Sequence, residues 1–364
     1  MDNFDLEAFR AAGLYDPDAP EAGEVANLLW FLTELGWTPQ DIASATNRVE
    51  VRSLAHSGSF RPPPDTTLDE AASEIGIEPE ELALLRRTVG LDPGDDGPVF
   101  DKAGLEAFRG LHESSMLFSP QESHHFARVL GSSLARIADA AVSLFLIDIE
   151  GPLRESGATE FDVARVNLQA VGALDGIAGS LDPLLRLHLQ AAIERSRAAR
   201  DEDDDPYIVR MAVGFVDLVG FTPFSDRLSS TELGRLVRDF EDAAYDTVSA
   251  NGGRVVKLIG DEVMFIAVDP QDACACVRAL MQQFEGRRID PRGGLAYGEL
   301  LTRGGDYYGS IVNLASRIGD LAVPREVLAT PALAERCPDY SFEPAGRRQL
   351  KGFDDPVSLV SLAL

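Results

Sequence analysis

Two carboxylates in the sequence lie where apolar strands are predicted to end. Asp217 follows Phe215-Val216 and precedes the turn Val219-Gly220-Phe221-Thr222, and Asp261 lies in a predicted hairpin turn. Burying a carboxylate is unfavourable unless a cation or hydrogen bonds compensate it. Carboxylate pairs at strand ends are typical of sites that hold Mg²⁺ against a triphosphate, and the amides of the glycine turn could bind phosphate oxygens. Each motif taken alone also fits an ordinary turn capped by Asp.

A third candidate segment presents an amide and a guanidinium together. Asn313 and Arg317 are four residues apart, so they share one face of the helix that the pattern predicts over residues 312–321. The other residues of this segment are largely apolar. The shared face can contact a single ribosyl or anionic group. In isolation, an N-cap Asn beside a solvent-facing Arg explains the same pattern equally well.

Lysine is rare in this chain, which contains 30 arginines but only Lys102, Lys257 and Lys351. A compact ammonium and a planar guanidinium are not interchangeable where a ligand is recognised. Lys257 and Lys351 both lie in glycine-flanked motifs of the second half of the chain. We therefore treat these two lysines as candidate ligand contacts.

The elements that must position these residues alternate between strand and helix. The pattern predicts strands over 208–216, 255–259, 263–268, 293–297, 342–349 and 357–362, and helices over 231–250, 272–284 and 312–321. Such alternation favours an α/β sandwich in which helices pack on one mixed sheet.

Four motifs in this half, FVDLVGFT, KLIGDEVMF, DYYGSIVNLASRI and LKGF, occur in an order and spacing that resemble the catalytic domain of class III nucleotidyl cyclases. The resemblance covers roughly residues 207–364. It implies an α/β (α+β) domain built on a ferredoxin-like βαββαβ core. It also implies conversion of a nucleoside triphosphate to the 3′,5′-cyclic nucleotide and pyrophosphate.

The resemblance also implies a role for each candidate residue. Asp217 and Asp261 would bind two Mg²⁺ or Mn²⁺ ions, and Asn313 would orient the ribose. Arg317 would stabilise the charge of the transition state. The implied substrate-binding residues are Lys257, Asp306, Lys351, Phe221 and Thr222.

The residue pair Lys257 and Asp306 implies a choice of purine. Lysine can donate to an adenine ring nitrogen and aspartate can accept from the exocyclic amine, whereas guanine presents the opposite pattern. Relatives that make cyclic GMP commonly carry Glu and Cys instead. The expected activity is therefore that of an adenylyl cyclase acting on ATP. The alternatives are a guanylyl cyclase and a catalytically weak cyclase-like signalling scaffold.

The family arrangement implies a homodimer with active sites at its interface. In such dimers one protomer supplies the residues equivalent to Asp217 and Asp261. The other supplies those equivalent to Lys257, Asp306, Asn313 and Arg317. This chain contains all six, so a homodimer is expected to have two complete sites and a monomer none.

The first half of the chain has a different character. Its apolar residues follow helical spacing, which predicts an all-α domain of eight to ten helices over residues 1–200. An acidic linker at 201–206 then separates it from the catalytic domain at 207–364. The final helix is predicted over 181–200, with an apolar face that includes His188.

The histidines point to a regulatory role for this first domain. All five, His56, His112, His124, His125 and His188, precede residue 206, and histidine titrates near neutral pH. The domain resembles the helical regulatory domain of some actinobacterial, mycobacterial-type cyclases. That resemblance implies pH-dependent regulation, with His188 as the candidate sensor, and a possible fatty-acid or other lipid ligand.

Composition excludes several other classes of protein. The net charge is −27, from 60 acidic and 33 basic residues, so nucleic-acid binding is not expected even though two segments resemble helix-turn-helix motifs. Asp139 and Asp148 interrupt the best apolar run, at 137–149, and no transmembrane segment is expected. The acidic N-terminus does not resemble a secretory signal, and the three cysteines fit a reducing compartment. The expected location is the cytoplasm.

Overall fold

A computed structural model of the chain describes residues 4–45, 64–94, 97–200, 205, 207–221, 225, 227–286 and 289–364. His56, Thr222 and most of the predicted acidic linker lie outside these described residues. The chain divides into two compact units, Met1–Arg186 and Leu187–Leu364. Each unit is described separately below.

The first unit is helical, as predicted. Nine α-helices begin within its described residues: α1 Leu6–Ala11, α2 Ala22–Glu34, α3 Pro39–Ala45, α4 Leu68–Ile75, α5 Pro79–Thr88, α6 Lys102–Ser115, α7 Pro120–Phe145, α8 Gly151–Glu155 and α9 Glu160–Ala198. A π-helical segment, Leu146–Glu150, joins α7 to α8.

Local sequence explains where several of these helices begin and end. Thr67 and Glu70 form a capping box at the start of α4, each side chain accepting a hydrogen bond from the backbone of the other. The same helix ends at Gly76, whose φ of 89° is a left-handed conformation that glycine adopts without strain. Asp5 and Ser119 cap α1 and α7 in the same side-chain-to-backbone manner.

The described core of this unit consists of two separate apolar clusters. One is built around Phe9, Leu29 and Leu32. The other includes Phe100 and Phe108, whose rings meet edge to face with their centroids 5.4 Å apart. The guanidinium of Arg86 lies over the Phe100 ring, 4.7 Å from its centroid.

One helical stretch is a candidate membrane span by length and composition, although no transmembrane segment was expected from the sequence. The continuous helical stretch Pro120–Glu155 is long and apolar enough to do so by length and composition, and only 6% of its most apolar window is buried. Asp139 and Asp148 do interrupt it, but the surrounding residues are more apolar than the 137–149 run alone indicated. Within the described protomer, this apolar surface is left largely uncovered.

The last helix of the first half is longer than predicted. The sequence predicted a helix over 181–200, whereas α9 runs from Glu160 to Ala198, 39 residues, with Pro183 inside it. Proline suits the first turn of a helix, which favoured a start near residue 181. Leu184, Leu187 and His188 are exposed, so the predicted apolar face is not buried within the described protomer.

The second unit is built on one eight-stranded sheet. Its strands are β1 Ile208–Leu218, β2 Arg254–Ile259, β3 Glu262–Ala267, β4 Pro291–Arg303, β5 Asp306–Tyr308, β6 Val327–Ala329, β7 Phe342–Arg348 and β8 Val357–Leu362. The strand order is β2-β3-β1-β4-β6-β8-β7, and β5 pairs with β4. Among the described strands, β4 and β6 pair in parallel and the other pairs are antiparallel.

Helices cover both faces of this sheet. Helices α10 (Ser230–Ala250) and α11 (Pro270–Gln283) bury one apolar cluster against it, and α12 (Ser310–Leu321) packs on the other cluster. A short helix, α13 (Pro331–Ala334), follows β6. The order β1-α10-β2-β3-α11-β4 is a βαββαβ unit.

A glycine allows α12 to approach the sheet closely. A Cβ at Gly294 on β4 would lie 2.3 Å from both the Ala315 carbonyl oxygen and the Gly319 nitrogen of α12. Any larger residue at 294 would therefore displace this helix. Because α12 carries Asn313 and Arg317, the contact fixes their height above the sheet.

Candidate active site

The predicted metal-binding carboxylates lie at one end of the sheet. Asp217 is the penultimate residue of β1, and its register partners are Glu262 on β3 and Arg292 on β4. Asp261 lies in the turn between β2 and β3, directly after Gly260, whose φ is 65°. The antiparallel pairing therefore brings Asp217, Asp261 and Glu262 to the same edge.

Arg292 contacts this carboxylate group and was missed by the sequence analysis. Its Nε and Nη2 atoms donate to the two oxygens of Asp217 at 2.7 and 2.9 Å. Its Nη1 donates to the carbonyl oxygens of Asp320 and Ala322 at 2.6 and 3.3 Å. The sequence signal that could have identified Arg292 is an arginine at the start of an apolar strand. The pairing of this strand with β1 then places Arg292 opposite Asp217.

Burial and mutual repulsion characterise this cluster of acids. Burial raises the pKa of Asp261, and the nearby Asp217 adds to the effect. Burial also raises the pKa of Glu262 to about 7, with further contributions from Asp217, Asp320 and Asp261. Neighbouring carboxylates that resist ionisation together are stabilised by a cation placed among them.

The donor set fits a divalent metal bound together with a substrate. Carboxylate oxygens suit Mg²⁺, which is usually held by one or two carboxylates plus substrate phosphates. Among the described residues, no group of three or more His, Cys, Asp or Glu is arranged to hold a metal ion. Asp217 and Asp261 would thus supply part of the coordination, and phosphate oxygens and water the remainder.

The predicted purine-selecting pair is brought together by the fold. Lys257 on β2 donates from Nζ to Oδ2 of Asp306 on β5 at 2.7 Å. The backbone N–H of Tyr307 donates to the other oxygen, Oδ1, at 2.8 Å. Both members of the pair are about one third exposed, at 39% and 30% for the two side chains. They can therefore exchange this contact for one with a ligand.

Three further candidate site residues, Asn313, Arg317 and Lys351, line a cavity of about 310 Å³. It is lined by Ser310, Asn313, Arg317, Lys351, Gly352 and Phe353. Lys351 comes from the loop between β7 and β8, where Gln349 Nε2 donates to the Phe353 carbonyl at 2.5 Å. Two cations and an amide thus converge on one space, which suits a phosphorylated ligand.

Arg317 has a partner on its own helix. Its Nη1 donates to Oδ2 of Asp320 at 2.9 Å, with both side chains almost half exposed. Exposed pairs of this kind contribute little to stability and break readily. The guanidinium is therefore available to an anion in the cavity.

One amide of the glycine turn after β1 already has a backbone partner. The N–H of Val219 donates to the Asp290 carbonyl at 2.9 Å, so this amide is not available to a phosphate. The half-buried Phe221 side chain packs against the core between the sheet and helices α10 and α11. Thr222 lies outside the described residues, so its predicted contact with substrate stays a prediction.

The structure does not bring His188 to the candidate active-site residues. The side chain is exposed on α9. Of the other histidines, His112 lies with Nδ1 4.0 Å from Glu81, and Nε2 of His125 is buried without a hydrogen-bond partner among the described residues.

Three curated relatives cover between 73% and 99% of the chain. An uncharacterized protein of Mycobacterium tuberculosis strain H37Rv is 32% identical over 99% of this chain and 95% of its own length. An adenylate cyclase of Streptomyces coelicolor is 34% identical over 73% of this chain and 70% of its own length. A pH-sensitive adenylate cyclase of Mycobacterium tuberculosis strain CDC 1551 is 30% identical over 92% and 87%. No family model matches the chain.

Two solved structures resemble less than half of the chain. The adenylyl cyclase CyaB from P. aeruginosa is 24% identical, covers 43% of this chain and 96% of its own, and gives a TM-score of 0.38. The guanylate cyclase domain of RhGC from Catenaria anguillulae is 18% identical, covers 42% and 96%, and gives a TM-score of 0.39.

Proposed function

The chain belongs to the class III adenylate cyclases, and from that membership we propose that it converts ATP to 3′,5′-cyclic AMP and pyrophosphate. The observation that carries the proposal is the direct contact between Lys257 on β2 and Asp306 on β5, whose side chains meet at 2.7 Å although the two strands do not pair with each other. This pair presents one donor and one acceptor side by side, which is the complement of the adenine edge.

Selection of adenine over guanine follows from hydrogen-bond complementarity. With adenine, Lys257 donates to a ring nitrogen and Asp306 accepts from the exocyclic amine. With guanine, the lysine would face a donor and the aspartate a carbonyl oxygen. Leaving polar groups unpaired in a partly desolvated site is costly, so guanine is disfavoured.

The other residues act on the ribose and the phosphates. Asn313 orients the ribose, while Arg317 and Lys351 offset the negative charge that grows on the phosphate oxygens in the transition state. Asp217 and Asp261 would hold Mg²⁺ or Mn²⁺, which supplies charge neutralisation and eases deprotonation of the ribose 3′-hydroxyl. No histidine follows His188 in the sequence, so none in the catalytic domain serves as the base.

The site is proposed to be shared between two copies of the chain. In one protomer, the cavity around Asn313 and Arg317 is lined by neither Asp217 nor Asp261. A second copy that supplies the carboxylates would complete the site. This supports a homodimer with two equivalent sites.

Complementation between inactive variants tests both the activity and the sharing. Asp217→Ala and Arg317→Ala should each abolish cyclic AMP formation. After subunit exchange, half of the dimers are mixed and each has one intact site, so activity should return to about a quarter of the wild-type value. The assay measures cyclic AMP from ATP, with GTP as the competing substrate.

A matched pair of variants controls for indirect effects. Asp217 and Asp261 belong to the same half-site, so mixing Asp217→Ala with Asp261→Ala should restore nothing. Recovery in this control, or none in the first mixture despite proven exchange, would overturn the shared-site proposal. Cyclic GMP as the main product of the wild type would overturn the assignment of ATP.

Regulation by the helical unit and a cytoplasmic location are further parts of this proposal. A relative that matches both halves of the chain is named as pH-sensitive. We propose that this chain also responds to pH through its helical N-terminal half, with His188 on α9 as the candidate sensor. A fatty acid or another lipid is the kind of second ligand that we propose for the same half of the chain.

A further inference from the structure

Asp320, in the last turn of α12, pairs with the arginine to which we assign the charge of the transition state. Its Oδ2 accepts a hydrogen bond from Nη1 of Arg317 at 2.9 Å, three residues earlier on the same helix. Arg317 also lines the cavity of about 310 Å³, whereas Asp320 does not. One nitrogen of the guanidinium is therefore bound to a carboxylate that lies outside the proposed phosphate site.

A second arginine fixes the backbone of Asp320. Nη1 of Arg292 on β4 donates to the Asp320 carbonyl oxygen at 2.6 Å and to the Ala322 carbonyl oxygen at 3.3 Å. The last carbonyl groups of a helix have no donor within the helix, so this contact caps the end of α12. Nε and Nη2 of Arg292 pair with Asp217 on β1. The end of α12 is thus tied to the sheet, and the Asp320 side chain extends from a fixed point.

An acid is unfavourable at this position of a helix. The C-terminal end carries a partial negative charge, which favours Lys or Arg there and disfavours Asp or Glu. The last turn of α12 contains Asp320 and no basic residue. The carboxylate also contributes to the raised pKa of Glu262, so it lies within range of the acids at the end of the sheet. A carboxylate in such surroundings is stabilised by a cation, which Arg317 supplies.

The ion pair directs Arg317 away from its neighbour in the cavity. Long side chains of a helix lean toward the N-terminus, over the residues three and four positions earlier. For Arg317, the residue four positions earlier is Asn313, which lines the same cavity. Asp320 lies on the opposite, C-terminal side of Arg317. The contact with Asp320 therefore holds the guanidinium on the side that is further from Asn313.

We propose that Asp320 is a positioning residue, which holds Arg317 in a resting position and competes with the substrate phosphates for its guanidinium. This inference rests on the proposed function, in which Arg317 offsets the charge of the phosphates. Both side chains of the pair are almost half exposed, so an anion in the cavity can displace the carboxylate. Separating the pair has a cost, which lowers the affinity of the cavity for that anion.

The test is Asp320→Ala in the full-length chain, with inorganic tripolyphosphate as the probe. This anion carries the charged groups of a triphosphate without a purine or ribose, and calorimetry in EDTA measures its Kd without any turnover. Exposed ion pairs correspond to a factor of about two to five. The Kd for tripolyphosphate should fall by about that factor, and kcat/KM for ATP should rise to a similar extent. Asp320→Asn, which keeps the shape of the side chain, should show most of the same gain.

Three controls separate release of Arg317 from other effects. In an Arg317→Ala background, Asp320→Ala should leave the Kd for tripolyphosphate unchanged, because no guanidinium remains to be released. Asp339→Ala removes an exposed carboxylate elsewhere in the same unit and should behave as wild type. Thermal unfolding of Asp320→Ala should show no loss of stability, since Arg292 contacts the backbone of Asp320 and the removed charge opposed the helix dipole.

The failures are distinguishable from one another. An unchanged or weaker affinity for tripolyphosphate in Asp320→Ala would overturn the inference. The same gain in the Arg317→Ala background would also overturn it, because the lost charge would then act at a distance and not through Arg317. The proposed function fails separately, if the wild type forms no cyclic AMP from ATP. In that case the binding measurement still decides whether Asp320 competes for Arg317.

Discussion

The ion pair between Arg292 and Asp217 leads to a prediction about two quantities that should change in opposite directions, the stability of the fold and the affinity for metal. Arg292 donates to both oxygens of Asp217 and also to two backbone carbonyls at the end of α12. Arg292→Ala removes all four contacts. The variant should be less stable without metal, yet bind a divalent cation more tightly.

The magnitude follows from the geometry. Hydrogen bonds between charged groups contribute about 1.5–3 kcal/mol, and these two side chains are roughly one fifth exposed, so a loss of about 2 kcal/mol is reasonable. For a unit of roughly 150–250 residues, 1 kcal/mol moves the unfolding midpoint by about 2–4 °C. The expected decrease in Tm of the second unit is therefore about 4–8 °C.

The gain in metal affinity has the same origin. In the wild type, a cation competes with the guanidinium for both Asp217 oxygens, and in the variant this competition is absent. A difference of about 1.4 kcal/mol corresponds to tenfold in Kd, so Mg²⁺ should bind the variant about tenfold more tightly. Thermal unfolding in EDTA and in a series of Mg²⁺ concentrations measures both effects without relying on activity.

Arg325→Ala is the matched control. Arg325 pairs with Glu285 at 3.1 Å, but both side chains are about half exposed or more, so its removal should cost well under about 1 kcal/mol. If Arg292→Ala is no less stable than this control, the contribution assigned to the buried pair is wrong. If its Mg²⁺ affinity is unchanged, Arg292 does not compete for Asp217.

Two further predictions concern pH. Burial raises the pKa of Glu262 from 4.5 to about 7. Between these two values the folded state keeps a proton on Glu262 that the unfolded state has already lost. Stability in EDTA should fall as pH rises from about 4.5 to about 7, and Glu262→Gln should remove this slope. If the urea midpoints of the wild type and of Glu262→Gln change in parallel with pH, the pH dependence does not come from Glu262. If His188 is the sensor, His188→Gln should flatten the pH profile of cyclic AMP formation in the full chain between about pH 5.5 and 8.5, since an amide does not titrate there. An unchanged profile would assign the response elsewhere.

The catalytic elements could largely be predicted because their patterns are local. The apolar run that contains Asp217, the Gly260 turn and the helix of Asn313 all lie within a residue or two of their predicted positions. Strands β5 and β6 were not predicted, because three residues are too few to show a period of two. The part played by Arg292 was also invisible, since it depends on the pairing of β1 with β4.

The first half was harder to predict in detail. The nine α-helices among the described residues fall within the predicted eight to ten. However, α9 begins 21 residues before its predicted start, because Pro183 lies in the middle of the helix and not at its beginning. The exposed apolar residues of α7 and α9 follow the same spacing as buried ones. Periodicity identifies an apolar face but does not say whether the chain itself covers that face.

The scarcity of lysine has a practical chemical consequence. Reagents that attack primary amines find only three side chains in 364 residues, and two of them are Lys257 beside Asp306 and Lys351 in the cavity. The third, Lys102, is exposed at the start of α6 and provides an internal reference for reactivity. Because arginine replaces lysine elsewhere, two of the three lysine side chains lie at the proposed nucleotide site. The extent to which an amine reagent labels Lys257 and Lys351 should therefore report how much of that site a nucleotide occupies.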